Sequence, residues 1–183
     1  MLILAGSAGS LSVIFNLLPS LKPHFPFAIL LVLHRKNSGD SSLPELLGIK
    51  TTVPVREVED KDLIQPGTIY LAPADYHLLI EKERYFSLDY SEKINFSRPS
   101  IDVTFESAAE VYGSRLVAIL LSGANEDGTL GLAAVKAAGG VMIAQDPLTA
   151  QMPVMPQRAI TFNAIQSVLT PEQIGEYVRE QMS

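Results

Sequence analysis

Three side chains in this sequence are of the kinds that together perform nucleophilic catalysis: the hydroxyl of Ser7, the imidazole of His34 and the carboxylate of Asp127. A serine hydroxyl is a weak nucleophile near neutrality. It needs a base to take its proton, and the base needs a carboxylate to fix its tautomer and to stabilise the imidazolium that forms. Ser7 has the most telling surroundings. The apolar run from Leu2 to Ala5 stops at Gly6-Ser7-Ala8-Gly9, and a helical pattern follows at once, with Leu11, Ile14, Phe15, Leu17 and Leu18 on one face. A small-residue turn between strand and helix lifts a hydroxyl above the sheet edge and aims a helix N-terminus at what it attacks. The window Ala5-Gly-Ser-Ala-Gly9 is one residue away from G-x-S-x-G. Its plainer reading is a serine that caps the helix.

The elements that must position these groups are runs apolar at every position. One spans 28–33 and ends at His34; another spans 116–121 and ends in Ser122-Gly-Ala-Asn-Glu-Asp127-Gly128. Such runs fit parallel strands covered on both faces. In an open parallel sheet ligands bind outside the carboxyl ends of the strands, so Ser7, His34 and Asp127 are expected to share one crevice. The plainer reading of Asp127 is a turn aspartate capping the next helix.

Elsewhere the pattern predicts a short helix over 42–47, a strand over 51–55, a solvated charged turn over 57–62 and a strand over 69–72. A β-hairpin is expected from 76–80 and 85–90 around Glu81-Lys-Glu-Arg84. Ser100 is expected to cap a helix over 101–112, with Asp102 and Glu106 near its start. Further helices are expected over 131–138 and 156–160, a strand over 141–144, and a segment 164–169 leading to a terminal helix opened by Thr170-Pro171.

Composition bounds the function. The chain has 183 residues, 47% of them hydrophobic and 19% charged, which fits a packed α/β domain and excludes disorder. A net charge of −6 without a basic cluster makes nucleic acid or an anionic membrane a poor partner. The absence of cysteine excludes disulfides and thiolate chemistry. The first apolar run lacks a basic leader and is too short for a signal peptide or a membrane span. A cytoplasmic protein without membrane insertion is therefore expected. No linker divides the chain, so residues 1–183 are expected to form one domain.

Other residues compete for the same chemistry. His24 lies in a proline-flanked loop and reads as a surface residue. His77, beside Asp75 at the start of a hairpin strand, competes as base or substrate contact; its plainer reading is a partly exposed strand histidine. Asp40, Asp60 and Asp62 read as solvated. Strand, small-residue turn and helix also open dinucleotide-binding domains, with Arg35-Lys36 where a 2′-phosphate of NADP could be held. Against that, Gly6-Ser-Ala-Gly9 lacks the full G-x-G-x-x-G, and Asp127 has no task. A non-catalytic module that binds a partner is the third reading.

The joint pattern resembles the catalytic domain of the CheB protein-glutamate methylesterases. It is carried by Ala5-Gly-Ser-Ala-Gly9, Leu33-His34, Glu57-Val-Glu-Asp60, Pro66-Gly67, Tyr70-Leu-Ala-Pro73, Asp75, His77, Arg98-Pro-Ser-Ile-Asp102, Leu121-Ser-Gly123, Asp127-Gly128, Gly131, Gly139, Ala144-Gln145 and Met155-Pro156. The resemblance covers nearly the whole chain. It implies a doubly wound three-layer α/β/α sandwich, mostly parallel, with an antiparallel β-hairpin near one edge. It implies an esterase that removes methyl groups from glutamate γ-methyl esters on chemotaxis receptors, with glutamine deamidation in related enzymes. Ser7 would be nucleophile, His34 base and later acid, and Asp127 the orienting group. The amides of Ala8 and Ala124 would hold the oxyanion, with Arg98 and His77 at the substrate. No metal or organic cofactor is implied. The partners implied are the methylated receptor and a separate response regulator or methyltransferase.

The chain departs from the family at three points. The nucleophile turn reads Ala-Gly-Ser-Ala-Gly-Ser where the family often has Gly-Ala-Ser-Thr-Gly-Gly. Arg35-Lys36 stand where a hydrophobic residue and prolines often follow the histidine; they are expected to be solvated more than receptor-bound. The length leaves no room for the N-terminal phospho-receiver domain, so a stand-alone catalytic form or a part of a longer chain is expected.

Overall fold

The computed structural model describes residues 1–35, 42–165 and 167–183. Lys36 and Asp40, both weighed above, lie outside them. The strands are β1 (Leu2–Gly6), β2 (Ile29–Leu33), β3 (Val55–Glu57), β4 (Ile69–Leu71), β5 (His77–Ile80), β6 (Phe86–Asp89), β7 (Val117–Leu120), β8 (Val141–Gln145) and β9 (Ser167–Leu169). The α-helices are α1 (Ser10–Leu17), α2 (Ser42–Ile49), α3 (Ile101–Tyr112), α4 (Thr129–Ala137), α5 (Val154–Asn163) and α6 (Pro171–Gln181).

Seven strands form one parallel sheet in the order β3-β4-β2-β1-β7-β8-β9. The apolar runs behave as their composition demands: β1 and β2 are buried at every position because both faces are covered. Alternation then assigns each side chain to one of two cores. Ile3 and Ala5 of β1 face α3, α4 and α5 through Ile101, Phe105, Leu132 and Met155. Leu2 and Leu4 face α1, α2 and α6 through Ile14, Leu17, Leu47 and Ile174. The result is a doubly wound α/β/α sandwich. β1 is its switch point, with the chain winding first towards β2 and β4, then towards β7 and β8.

Two local expectations are corrected. The edge strand forms at Val55–Glu57, not over 51–55, since Pro54 has no N–H to give the ladder, although its carbonyl accepts from Ile69 at 2.9 Å. Glu57 is thereby part of a strand instead of a solvated turn, and Asp60 Oδ1 and Asp62 Oδ2 accept backbone N–H groups of Leu88 and Glu59 at 3.0 and 2.9 Å. The hairpin forms as expected, as a two-stranded antiparallel ribbon of its own, and its Leu78, Ile80 and Phe86 join the α3 core.

Gly128, just before α4, has φ 93°, and a Cβ there would stand 2.8 Å from Leu120 Cδ1 and 2.9 Å from Ile101 Cγ2. Gly48 in α2 has nothing within 4 Å of such a Cβ. Gly128→Ala is expected to cost about 2–4 kcal/mol in urea unfolding, from left-handed backbone plus overpacking. Gly48→Ala should gain about 0.5–1 kcal/mol from reduced chain entropy.

Candidate active site

The Ser7 turn is held by its backbone. Ser7 N–H donates to Ser122 O at 2.8 Å, and Ser7 O accepts from Ser10 N–H at 3.1 Å and from Ser10 Oγ at 2.6 Å. The helix it introduces has Gly9 as N-cap and no side-chain cap, so Ser7 is not a capping serine. Gly9 has φ 83°, and a Cβ there would meet Gln151 Cβ at 2.5 Å and Ser122 Oγ at 2.8 Å. Only glycine lets the turn lie this close to its neighbours. Ser122, at the end of β7, completes the brace: its hydroxyl donates to Ala8 O at 2.7 Å and accepts from Met152 N–H at 2.9 Å. Among the described residues no acceptor takes the N–H of Ala8 or of Ala124, and both residues are exposed.

His34 stands next to Ser7 because β1 and β2 are in register at Gly6 and Leu33, and His34 N–H continues the ladder to Gly6 O at 3.1 Å. Its Nε2 lies 2.7 Å from Asp127 Oδ2, with the two side chains 9% and 0% exposed. Ser7 Oγ makes no hydrogen bond to either ring nitrogen; Nδ1 faces Ser97 Oγ at 3.3 Å. The structure thus joins His34 to Asp127 and sets Ser7 on the adjoining strand end, without the serine–histidine contact.

Asp127 does more than face the histidine. It accepts Ile101 N–H at 2.6 Å, Asp102 N–H at 3.1 Å, Ser100 Oγ–H at 2.9 Å and Gly128 N–H at 3.1 Å. It therefore caps α3, not the helix that follows it. Ser100 occupies the N-cap position of α3 but makes no side-chain cap, its hydroxyl being spent on Asp127. Burial alone would raise the Asp127 carboxyl; the hydrogen bonds from His34, Ile101 and Asp102 outweigh it and hold the group below the usual carboxylate range. An acceptor-only carboxylate takes its hydrogen bond from Nε2–H, the tautomer whose imidazole carries its lone pair on Nδ1.

A second buried carboxyl adjoins the first. Asp102 accepts Gly131 N–H at 2.7 Å and Asn95 Nδ2–H at 3.2 Å, and Asn95 also reaches Asp127 Oδ1 at 3.5 Å. Burial first, and then the negative charge of Asp127, push the Asp102 carboxyl up to about 6.

Other sequence candidates have different work. His77 is 1% exposed, with Nδ1 accepting Ser100 N–H at 3.1 Å and Nε2 donating to Glu92 O at 2.9 Å. Both nitrogens are taken by backbone groups, so His77 holds the start of α3. Arg98 borders the cleft beside His34, Ser97 and Phe96, but its guanidinium donates to Ser91 O at 2.7 Å and Asp75 Oδ1 at 3.3 Å and lies 3.8 Å over the Tyr90 ring. Arg35 is not solvated: it pairs with Glu57 and donates to Ala72 O at 3.3 Å, which removes it from any 2′-phosphate. His24 is exposed, as expected. Sequence reasoning missed Asn95, Ser97 and Ser122. For Ser122 the signal was available, since it follows a buried strand as Ser7 and His34 do.

A doubly wound parallel domain with a serine turn and a buried histidine–carboxylate pair at its switch point has the architecture of an α/β hydrolytic enzyme. The chain belongs to the CheB methylesterase family, whose model matches residues 2–178. It is 41% identical over 175 residues to a protein of Leptospira interrogans provisionally named a protein-glutamate methylesterase/protein-glutamine glutaminase, covering 96% of this chain and 91% of that one. It is 35% identical over 181 residues to the protein-glutamate methylesterase/protein-glutamine glutaminase of Thermotoga maritima, covering 97% of this chain and 53% of that protein. The crystal structure of the Thermotoga maritima CheB methylesterase catalytic domain matches with a TM-score of 0.92 at 35% identity, over 98% of this chain and 96% of that one. The chain thus spans nearly all of one relative and about half of another.

The two carboxyls affect stability in opposite senses. Asp127, lowered in the folded state, stabilises above the unfolded carboxylate range, and that contribution is lost as pH falls through its folded value. Asp102, raised to about 6, costs stability that is fully present above that value and gone below the unfolded range. Asp102→Asn keeps an acceptor for Gly131 N–H. It is expected to raise stability at pH 7 by roughly 2 kcal/mol, with the gain vanishing towards pH 4, as read by urea unfolding across that range.

Proposed function

We propose that this chain hydrolyses glutamate γ-methyl esters on chemotaxis receptors, with Ser7 as nucleophile, His34 as base and then acid, and Asp127 as the orienting carboxylate. The observation that carries the reading is the 2.7 Å contact between His34 Nε2 and Asp127 Oδ2 one strand away from the Ser7 turn. Ser7 Oγ attacks the ester carbonyl carbon while His34 Nδ1 takes its proton. Resting hydrogen bonds of such pairs are commonly long and close up with substrate bound. The oxyanion is held by the N–H groups of Ala8 and Ala124, which are uncommitted among the described residues. Collapse breaks the bond to methoxide, which leaves as methanol with the proton from His34. Water then attacks the acyl-enzyme and gives one proton to His34; that proton passes to Ser7 Oγ as the acyl bond breaks, and the glutamic acid side chain so formed loses its remaining proton to solvent.

The same steps with ammonia as leaving group deamidate glutamine, a reading supported by the double name of the relatives. The whole span 1–183 acts as one catalytic domain. Among the described residues no helix is long and apolar enough to cross a membrane. Our reading is a cytoplasmic enzyme meeting the cytoplasmic part of its receptor, with a separate response regulator or methyltransferase as a further partner.

Ser7→Ala is expected to lower methanol release from methylated receptor on the order of 10⁴-fold or more while the circular dichroism spectrum is unchanged. Equal release by both proteins would falsify the role of Ser7. For the wild type, kcat/KM should fall on acidification, as general-base catalysis requires; a pH-independent profile removes His34 as the base.

A further inference from the structure

We propose that Ser97 is a positioning residue of this hydrolase, its hydroxyl serving His34 Nδ1 both before and after the imidazole takes the nucleophile's proton. The inference rests on the reading of His34 as the base. It starts from the one ring nitrogen that Asp127 does not hold. With Nε2–H committed to Asp127 at 2.7 Å, Nδ1 presents a lone pair, and the hydroxyl 3.3 Å away is that of Ser97. Ser97 is then the donor.

The surroundings of Ser97 let it change roles without moving. Its hydroxyl has a second acceptor, Asn95 O at 3.4 Å, and Asn125 Nδ2 is a donor to it at 3.5 Å. Rotation about a single C–O bond turns the proton from Nδ1 to Asn95 O. While His34 is neutral, Ser97 donates to Nδ1 and keeps the ring in plane with Asp127. When Ser7 approaches, Ser97 turns to Asn95 O and frees the lone pair. Once the proton has passed from Ser7 to Nδ1, that nitrogen is a donor, and Ser97 Oγ accepts from it. No bond forms or breaks at Ser97, and its proton stays with it. A hydroxyl can act in both directions; a methyl can do neither.

The backbone shows that this hydroxyl is placed with care. Residues 94–97 form a tight reversal, with Ile94 N–H donating to Ser97 O at 3.2 Å and Ser97 N–H to Ile94 O at 2.9 Å. The two central residues, Asn95 and Phe96, have φ of 50° and 61°, a region that residues with a Cβ seldom enter. The Asn95 amide holds the turn on Asp102 and Asp127, so the elements that fix the carboxylate also fix Ser97.

The test uses Ser97→Ala and Ser97→Thr, assayed for methanol release from methylated receptor alongside Ser7→Ala. Ser97→Ala is expected to lower kcat about 10-fold, the worth of one hydrogen bond to a charged group, with KM and thermal midpoint unchanged. Ser97→Thr should restore most of kcat. Full kcat in Ser97→Ala overturns the proposal, and so does a loss that follows a lowered thermal midpoint. Should threonine prevent folding, ¹⁵N NMR of His34 decides: a displaced Nδ1 resonance in Ser97→Ala supports the contact, and an unchanged one overturns it. If Ser7→Ala is as active as wild type, the reading of the base itself fails, whatever Ser97 does.

Discussion

Everything at the carboxyl edge depends on the buried charge of Asp127. A carboxylate with no exposed surface survives only if donors replace its water. Here they come from Ile101 and Asp102 at the start of α3, from Ser100, from Gly128 at the start of α4 and from His34 at the end of β2. One side chain therefore ties the start of α3 to the residue after β2, and the same Oδ2 that takes Ile101 N–H also takes His34 Nε2–H. Fold and imidazole share an atom. The helix dipole adds to the effect, since the N-terminus of α3 favours negative charge beside it.

The sheet acts as a ruler for the rest. Parallel neighbours lie about 4.8 Å apart. Registering Gly6 with Leu33 and Ala5 with Leu120 brings Ser7, His34 and Ser122 to one rim, each just past the end of its strand. The braces between them are backbone and hydroxyl contacts such as Ser7 N–H to Ser122 O, which tolerate little displacement. Long-range pairing thus converts three distant positions in the chain into neighbours, and the tight turn at Gly9 keeps them uncrowded.

The legible part of this arrangement was the part written in local pattern. Apolar runs ending at Ser7, at His34 and at Ser122 announced strands and the edge where chemistry would lie. What sequence could not announce was competition between distant groups. Ser100 obeys every local rule for a helix cap and is displaced by a carboxylate 27 residues further on. His77 carries the look of a strand histidine near an aspartate, but folding of the hairpin onto α3 buries it and spends both nitrogens. Arg35 reads as a solvated cation until β3 delivers Glu57 to it. Asn95 and Ser97 lie in a polar stretch with no periodicity to mark it, and their importance exists only once 94–97 has turned back onto the site.

That turn has a tip, and the tip is Phe96, whose side chain is 98% exposed while Asn95 and Ser97 on either side are bound inward. The division separates two kinds of selection along three consecutive residues. The flanking pair answers to the buried carboxyls and to the His34 ring; the phenyl ring at the mouth of the cleft takes no part in those bonds. Replacing that one ring therefore changes the apolar face shown at the rim and disturbs no buried bond beneath it.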